Sequence, residues 1–307
     1  MKHRVLRLLL ELLPSLVVGF WIGRRQPLIG QRIAAPLVRF GVPISVMGLL
    51  LKGGLSLQML EAAGLAVAAI GLMQTLIWSA PLLQKPLHHR SNKLGCCVGN
   101  TAYVGIPVAL ALLPAEALPI SIGYDLGATL LTWSIGPLLL AQPGEHNNRP
   151  INDLVNSLSS SPAMKGLLGA LVVVATPWAS EVASMLWLPS RIVIVLALTV
   201  VGMRLGSVWS EGSDQQPPTS TGITTATLIK LVGFPVVMFV LTSALNLKPV
   251  MVQALTLQAA APTAISILLI AEAVRHDQSV AASLVLRTTI LAAVSTPIWG
   301  WILTNLV

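Results

Sequence analysis

Apolar blocks of about twenty residues recur along the chain, each closed by a short polar loop, a pattern that predicts helices crossing a bilayer. The blocks fall near residues 5–23, 33–51, 59–84, 94–113, 118–141, 163–180, 187–206, 222–245, 249–273 and 279–304. No loop is large enough for a soluble domain, so the pattern predicts one transmembrane domain over residues 1–307. One block departs from the pattern of a simple span. Gly99-Asn100-Thr101-Ala102-Tyr103-Val104-Gly105-Ile106-Pro107 lies inside 94–113, where two glycines, a polar pair and a proline make poor continuous helix. Proline lacks the N–H that would close a helical bond. A broken helix at membrane depth is tolerated only where protein or a water-filled cavity meets the freed backbone groups. The stretch is therefore a candidate solute site.

The two halves of the chain resemble each other. A shift of 160 residues lays Asp125-Leu126-Gly127-Ala128-Thr129-Leu130-Leu131 over Val285-Leu286-Arg287-Thr288-Thr289-Ile290-Leu291 and Gly136-Pro137 over Thr296-Pro297. It also lays the interrupted block over Ala259-Ala260-Ala261-Pro262-Thr263-Ala264-Ile265-Ser266-Ile267, a second interruption by small residues and proline. Earlier in the chain, Val46-Met47-Gly48 resembles Val200-Val201-Gly202 at a shift of 154, and the six-residue difference fits the polar loop Ser207–Thr221. Five spans per half, an odd number, force the halves to enter the membrane in opposite senses. The expected fold is an all-α polytopic membrane protein of about ten transmembrane helices in two inverted five-helix repeats, with broken crossing helices 4 and 9. Residues 1–141 form the first repeat, 142–162 a polar linker and 163–307 the second repeat.

Composition agrees with the class. Of 307 residues 54% are hydrophobic and 10% charged, against about 25% charged in soluble domains; mean hydropathy is +0.80. The net charge of +8 does not point to nucleic acid, because Lys and Arg sit in short loops beside the spans. With the N-terminus outside, ten basic residues fall in cytoplasmic loops and six in external segments, which favours both termini outside a bacterial inner membrane. The basic Met1-Lys2-His3-Arg4 start pulls the other way. No convincing cleavage site follows it, so no signal peptide is expected. Cys96 and Cys97, adjacent within a span and without nearby histidines, read as packing residues rather than a disulfide or metal site.

Chemistry-bearing residues are few. Asn100 and Thr101 are the sharpest polar candidates: an amide can donate to a carboxylate or accept a cation, and half-helix N-termini beside it suit an anion. The plainer role for Asn100 is to satisfy backbone freed by Pro107. Pro262 and Thr263 occupy the matching break, with Pro262 shaping it. Tyr103 lines a cavity or packs. Asp125 is the one acid deep within a predicted span, where an ionisable side chain reads as a proton or sodium site, or else as a structural partner for Arg287. Arg287 lies about three turns into the last span. It can receive a substrate carboxylate, neutralise Asp125, or snorkel to the interface. Arg39 and Lys230 read as snorkelling residues near span ends, and His88 and His89 as solvated loop residues. Eleven acids in the whole chain, with no acidic pair and no phosphate-binding glycine loop, argue against an enzyme, a metal site and ATP-driven transport.

Gly99-Asn100-Thr101 with Gly105-Ile106-Pro107, then Tyr124-Asp125-Leu126 one span later, resembles the auxin efflux carrier family and its bacterial malonate-transporter-like members. Ala261-Pro262-Thr263-Ala264, Ala271-Glu272 and Thr296-Pro297 look like that family's last two spans. The resemblance implies two inverted five-helix repeats whose broken helices cross near the membrane centre, and carriage of organic anions, typically carboxylates. By motif, Asn100, Pro107 and Pro262 carry over as the site region, with Asp125 as neighbour. Two departures stand out: Gly127-Ala128 follows the Asp where many members carry a polar amide, and Arg287 replaces a residue that is usually small.

The expectation is a secondary transporter that moves a small carboxylate by alternating access, with no cofactor, coupled to H+ or Na+. Lipid and substrate are its expected partners, with room for a homodimer and none for nucleic acid. A cation–proton antiporter of similar architecture, or a membrane ligand sensor that does not transport, are the competing readings.

Overall fold

Long apolar runs without internal polar partners can bury their backbone groups only as helix, and helix is what forms. The computed structural model describes residues 2–53, 56–141, 162–211 and 220–306, so the predicted linker 142–162 lies, but for Pro162, outside the described residues. In chain order the helices are α1 (Lys2–Arg25), α2 (Pro27–Pro36), α3 (Val42–Gly53), α4 (Leu57–Ser79), α5 (Pro81–Gln84), α6 (Arg90–Gly95), α7 (Ile106–Leu112), α8 (Ala117–Leu140), α9 (Pro162–Val174), α10 (Ala179–Glu211), α11 (Ser220–Leu228), α12 (Phe234–Ala244), α13 (Pro249–Ala259), α14 (Ile265–Ala273) and α15 (Gln278–Leu306).

Among the described residues, three helical stretches are each long and apolar enough to cross a membrane: Leu57–Ser79, Thr221–Ala244 and Gln278–Leu306. On α15, Ile290, Val294, Ile298 and Trp301 form an exposed apolar stripe at helical spacing. Water would penalise such a stripe and lipid would cover it. The protein is a helical membrane protein.

Wide π turns at Leu37–Gly41, Thr101–Gly105 and Ile229–Gly233 feed α3, α7 and α12. All three run into the same local pattern: Gly41-Val42-Pro43, Gly105-Ile106-Pro107 and Gly233-Phe234-Pro235. The proline ring would clash with the carbonyl one turn back, and the helix widens ahead of it to make room. In the third case the carbonyl four residues before the proline, that of Leu231, accepts the Trp299 indole N–H at 2.9 Å.

The described residues divide into two compact units, one from 57–141 and 220–306, the other from 2–53, 56 and 162–211. Each unit draws on both halves of the chain. In the second unit α1 packs on α10 through paired glycines one turn apart. Gly19 and Gly23 lie against the backbone of Thr199 and Met203, and Gly202 and Gly206 against that of Leu16 and Phe20. Small residues at this spacing let helix backbones touch where lipid supplies no hydrophobic drive. The first unit contains the two interrupted blocks, and there Gly123 and Gly127 of α8 lie against the backbone of Met59 and Ala63 in α4.

Candidate functional site

Helix α6 stops at Gly95, and the chain continues unwound to Asn100 before the wide turn leads into α7. Helix α13 stops at Ala259, and α14 resumes at Ile265. These two unwound stretches lie antiparallel, with an isolated bridge between Gly99 and Thr263. The Asn100 N–H donates to the Pro262 carbonyl at 2.7 Å, and the Ala264 N–H to the Val98 carbonyl at 3.0 Å. Backbone groups freed by one interruption are thus met by those freed in the other, as burial requires.

Side chains satisfy more of the freed backbone. The Thr263 hydroxyl donates to the Gly95 carbonyl at 3.0 Å, while the Thr263 N–H donates to the Thr288 hydroxyl at 3.1 Å. The Thr296 hydroxyl donates to the Ala260 carbonyl at 3.2 Å, and the Gln74 amide to the Lys93 carbonyl at 3.0 Å.

Beside this pairing sits Asp125. The Thr101 hydroxyl donates to its Oδ1 at 2.5 Å, and the Ala102 N–H and the Thr129 hydroxyl also bond its carboxyl group. Helix geometry explains the direction: Asp125 lies about 200° round α8 from Gly123, so when the glycines meet α4 the acid turns away from it. The same packing accounts for the departure at Gly127. A side chain there would run into the Ala63 backbone, so an amide at this position has no room.

Asn100, Thr101, Pro262 and Thr263 are all buried at the pairing, and Asp125 is bonded to it through Thr101. Tyr103 lies half-buried on the wide turn, near enough to Asp125 to feel its charge. Pro107 is the second residue of α7. The Asn100 carbonyl accepts from Val104 and Gly105 at 3.1 and 3.2 Å, and its side chain makes no capping bond to the wide turn that follows. The amide is therefore not what satisfies the backbone around Pro107.

Arg287 is not brought to this place. It is exposed on α15 and donates to the Thr224 hydroxyl at 2.8 Å, with no bond to Asp125. Lys230 corrects the snorkelling expectation in the other direction. It is wholly buried: the wide turn that carries it packs against α15, and its Nζ donates to the Ala259 carbonyl at the end of α13 at 2.5 Å. His89, expected to be solvated, is half-buried and bonds Asp277 at 2.9 Å. The second oxygen of Asp277 accepts the Ser91 N–H, so this acid ties the start of α6 to the start of α15.

One residue went unnoticed in the sequence. Gln258, on the last turn of α13, is 0% exposed and packs against Gly105, and neither polar atom of its amide has a hydrogen-bond partner in the described structure. A polar residue two positions before the second interruption was the available signal. Buried amide atoms are nearly always paired in folded proteins, so an unpaired pair at a helix break marks a place where a ligand or water belongs.

Cys96 and Cys97 are free and buried, and the described residues contain no cluster of three or more metal-binding side chains. A groove of about 480 Å³ between α4 and α8 is mostly apolar, lined by residues such as Leu131, Ile135 and Leu139, and contains none of the candidate site residues. The chemistry is concentrated at the paired breaks instead.

Residues 151–300 match the family described as membrane transport protein. An uncharacterized transporter of Methanocaldococcus jannaschii is 25% identical over 232 residues, covering 70% of this chain and 70% of the relative.

Proposed function

From the premise that the chain belongs to the membrane transport protein family, that of the auxin efflux carriers, we propose that it is a secondary transporter for a small carboxylate. In this reading ten transmembrane helices form two inverted five-helix repeats. Their fourth and ninth members are the broken pair α6–α7 and α13–α14, and alternating access exposes the paired breaks to each side in turn.

One observation supports the reading most. The backbone freed at the two breaks is met from within the protein, while both polar atoms of the buried Gln258 amide have no partner among the described residues, beside the break that Asn100 opens. An amide N–H pair fits a carboxylate oxygen. Thr101, Tyr103, Pro107, Pro262 and Thr263 shape the surroundings. Asp125, held by Thr101, is the group through which movement couples to a proton or a sodium ion. Arg287 has no part in the site.

The test is a thermal-shift screen of mono-, di- and tricarboxylates against purified protein, followed by uptake of the stabilising compounds into proteoliposomes. A ligand that binds the folded state raises its melting temperature. Asn100→Ala should lower affinity at least tenfold with the fold intact. Stabilisation without uptake would make the protein a sensor, and alkali-cation exchange against a pH gradient without carboxylate uptake would make it an antiporter. Either result ends the carrier reading.

A further inference from the structure

Lys230 is a buried basic group near the paired breaks that the transport reading leaves unused. Its side chain is 0% exposed, its ammonium lies 5.1 Å from the Phe234 ring, and its Nζ donates to the Ala259 carbonyl at 2.5 Å. A methyl group placed on Gly99 would sit 3.4 Å from the same nitrogen, so the ammonium lies beside the first interruption as well as bonding the second. No carboxylate forms an ion pair with it among the described residues.

The position has a clear electrostatic meaning. Ala259 is the last residue of α13, and the carbonyls at a helix C-terminus carry partial negative charge with no intrahelical partner. In transporters with interrupted helices, such carbonyl ends are where a coupling metal cation is held. Here a lysine reaches that end from the wide turn at Ile229–Gly233, on a different helix, and delivers a cation covalently tied to the protein.

We propose that the Lys230 ammonium takes the place of an alkali cation at the end of α13, so that this protein binds and moves its substrate without sodium or potassium, which leaves the proton, of the two ions named above, to couple through Asp125. That ammonium, paired with no carboxylate among the described residues, is also the counter-charge for an anion bound between the breaks. That second role rests on the carboxylate reading above; the first does not.

The experiment uses purified full-length protein in detergent, with NaCl, KCl or choline chloride at constant ionic strength. The wild type should melt at the same temperature, within about 1 °C, in all three salts. Lys230→Ser removes the donor from the Ala259 carbonyl and opens a space where the stem lay. It should melt lower in choline chloride and recover by about 5 °C in NaCl, saturably. Lys230→Gln, which keeps length but not charge, serves where Lys230→Ser does not fold.

A sodium- or potassium-specific rise in the wild type overturns the proposal. So does the absence of any alkali-cation effect in both variants, or failure to recover either variant folded in sodium buffer, since the ion should then fill the vacated place. In proteoliposomes, wild-type uptake should proceed equally in choline and sodium. Lys230→Ser uptake should be at least tenfold faster in sodium, and equal rates for the variant overturn the proposal. If no carboxylate stabilises or enters, the carrier reading fails while the salt titration still decides this inference.

Discussion

The bond between Thr101 and Asp125 offers the most quantitative test of how the first break is held. At 2.5 Å it is at the short end for a hydroxyl donating to a carboxylate. Bonds to charged groups contribute about 1.5–3 kcal/mol in soluble proteins. Two features reduce the figure here. Asp125 keeps donors from Ala102 and Thr129 when the threonine hydroxyl is lost. Polar pairs in membrane helices average about 0.6 kcal/mol in double-mutant cycles, with maxima near 1.7, because the unfolded chain also finds partners. The pairing of the breaks holds Thr101 in place before any side chain acts, so the coupling should lie near the upper end, at about 1–2 kcal/mol. The assay is a cycle of Thr101→Val, Asp125→Ala and the double variant, each unfolded by SDS titration in mixed micelles. Thr101→Ser should behave as wild type. Additivity within about 0.3 kcal/mol would refute the reasoning, since it would mean the two side chains do not depend on each other.

Three further outcomes are expected. Gln258→Met removes two unpaired buried polar atoms, so it should raise the melting temperature of the empty protein by about 2–6 °C, for about 1–2 kcal/mol, while weakening carboxylate protection at least tenfold. Stability and binding falling together would show that the amide is structural. Arg287→Gln should leave uptake within about twofold of wild type, because the side chain is exposed and bonded to Thr224; a tenfold loss would return Arg287 to the site. Gly127→Leu should yield little folded protein by size-exclusion chromatography, the new side chain meeting the Ala63 backbone, at a cost of several kcal/mol. A monodisperse peak at wild-type yield would contradict the close approach of α4 and α8.

Both interruptions were legible in the sequence because glycine and proline act locally, through φ and a missing N–H, and need no knowledge of neighbours. The burial of Asp125 was legible for a similar reason: depth along a span is a one-dimensional property. Depth does not fix direction. Lys230 and Arg287 were each assigned by distance from a span end, yet one is buried at the breaks and the other exposed. What separates them is the rotation of each helix about its axis, and for Lys230 the wide turn that carries it. That turn was foreshadowed by three Gly-X-Pro patterns, whose shared consequence is visible only when the helices are compared. The two compact units were hidden for a different reason. Each joins segments from both halves of the chain, and hydropathy carries no information about which distant helices pack together.

The antiparallel pairing at Gly99 and Thr263 uses main-chain atoms alone: Asn100 N–H to Pro262 oxygen, Ala264 N–H to Val98 oxygen. Such bonds do not ask which side chain the residue bears, provided it fits. The frame and the recognition surface are therefore separable, and substitutions that retune what is recognised need not dismantle what holds it. Asn100 can change without releasing its own N–H from Pro262. A scaffold of this kind lets one backbone be adapted to many solutes by few mutations, and a selectivity library confined to positions 100 and 258 should keep most of its members folded.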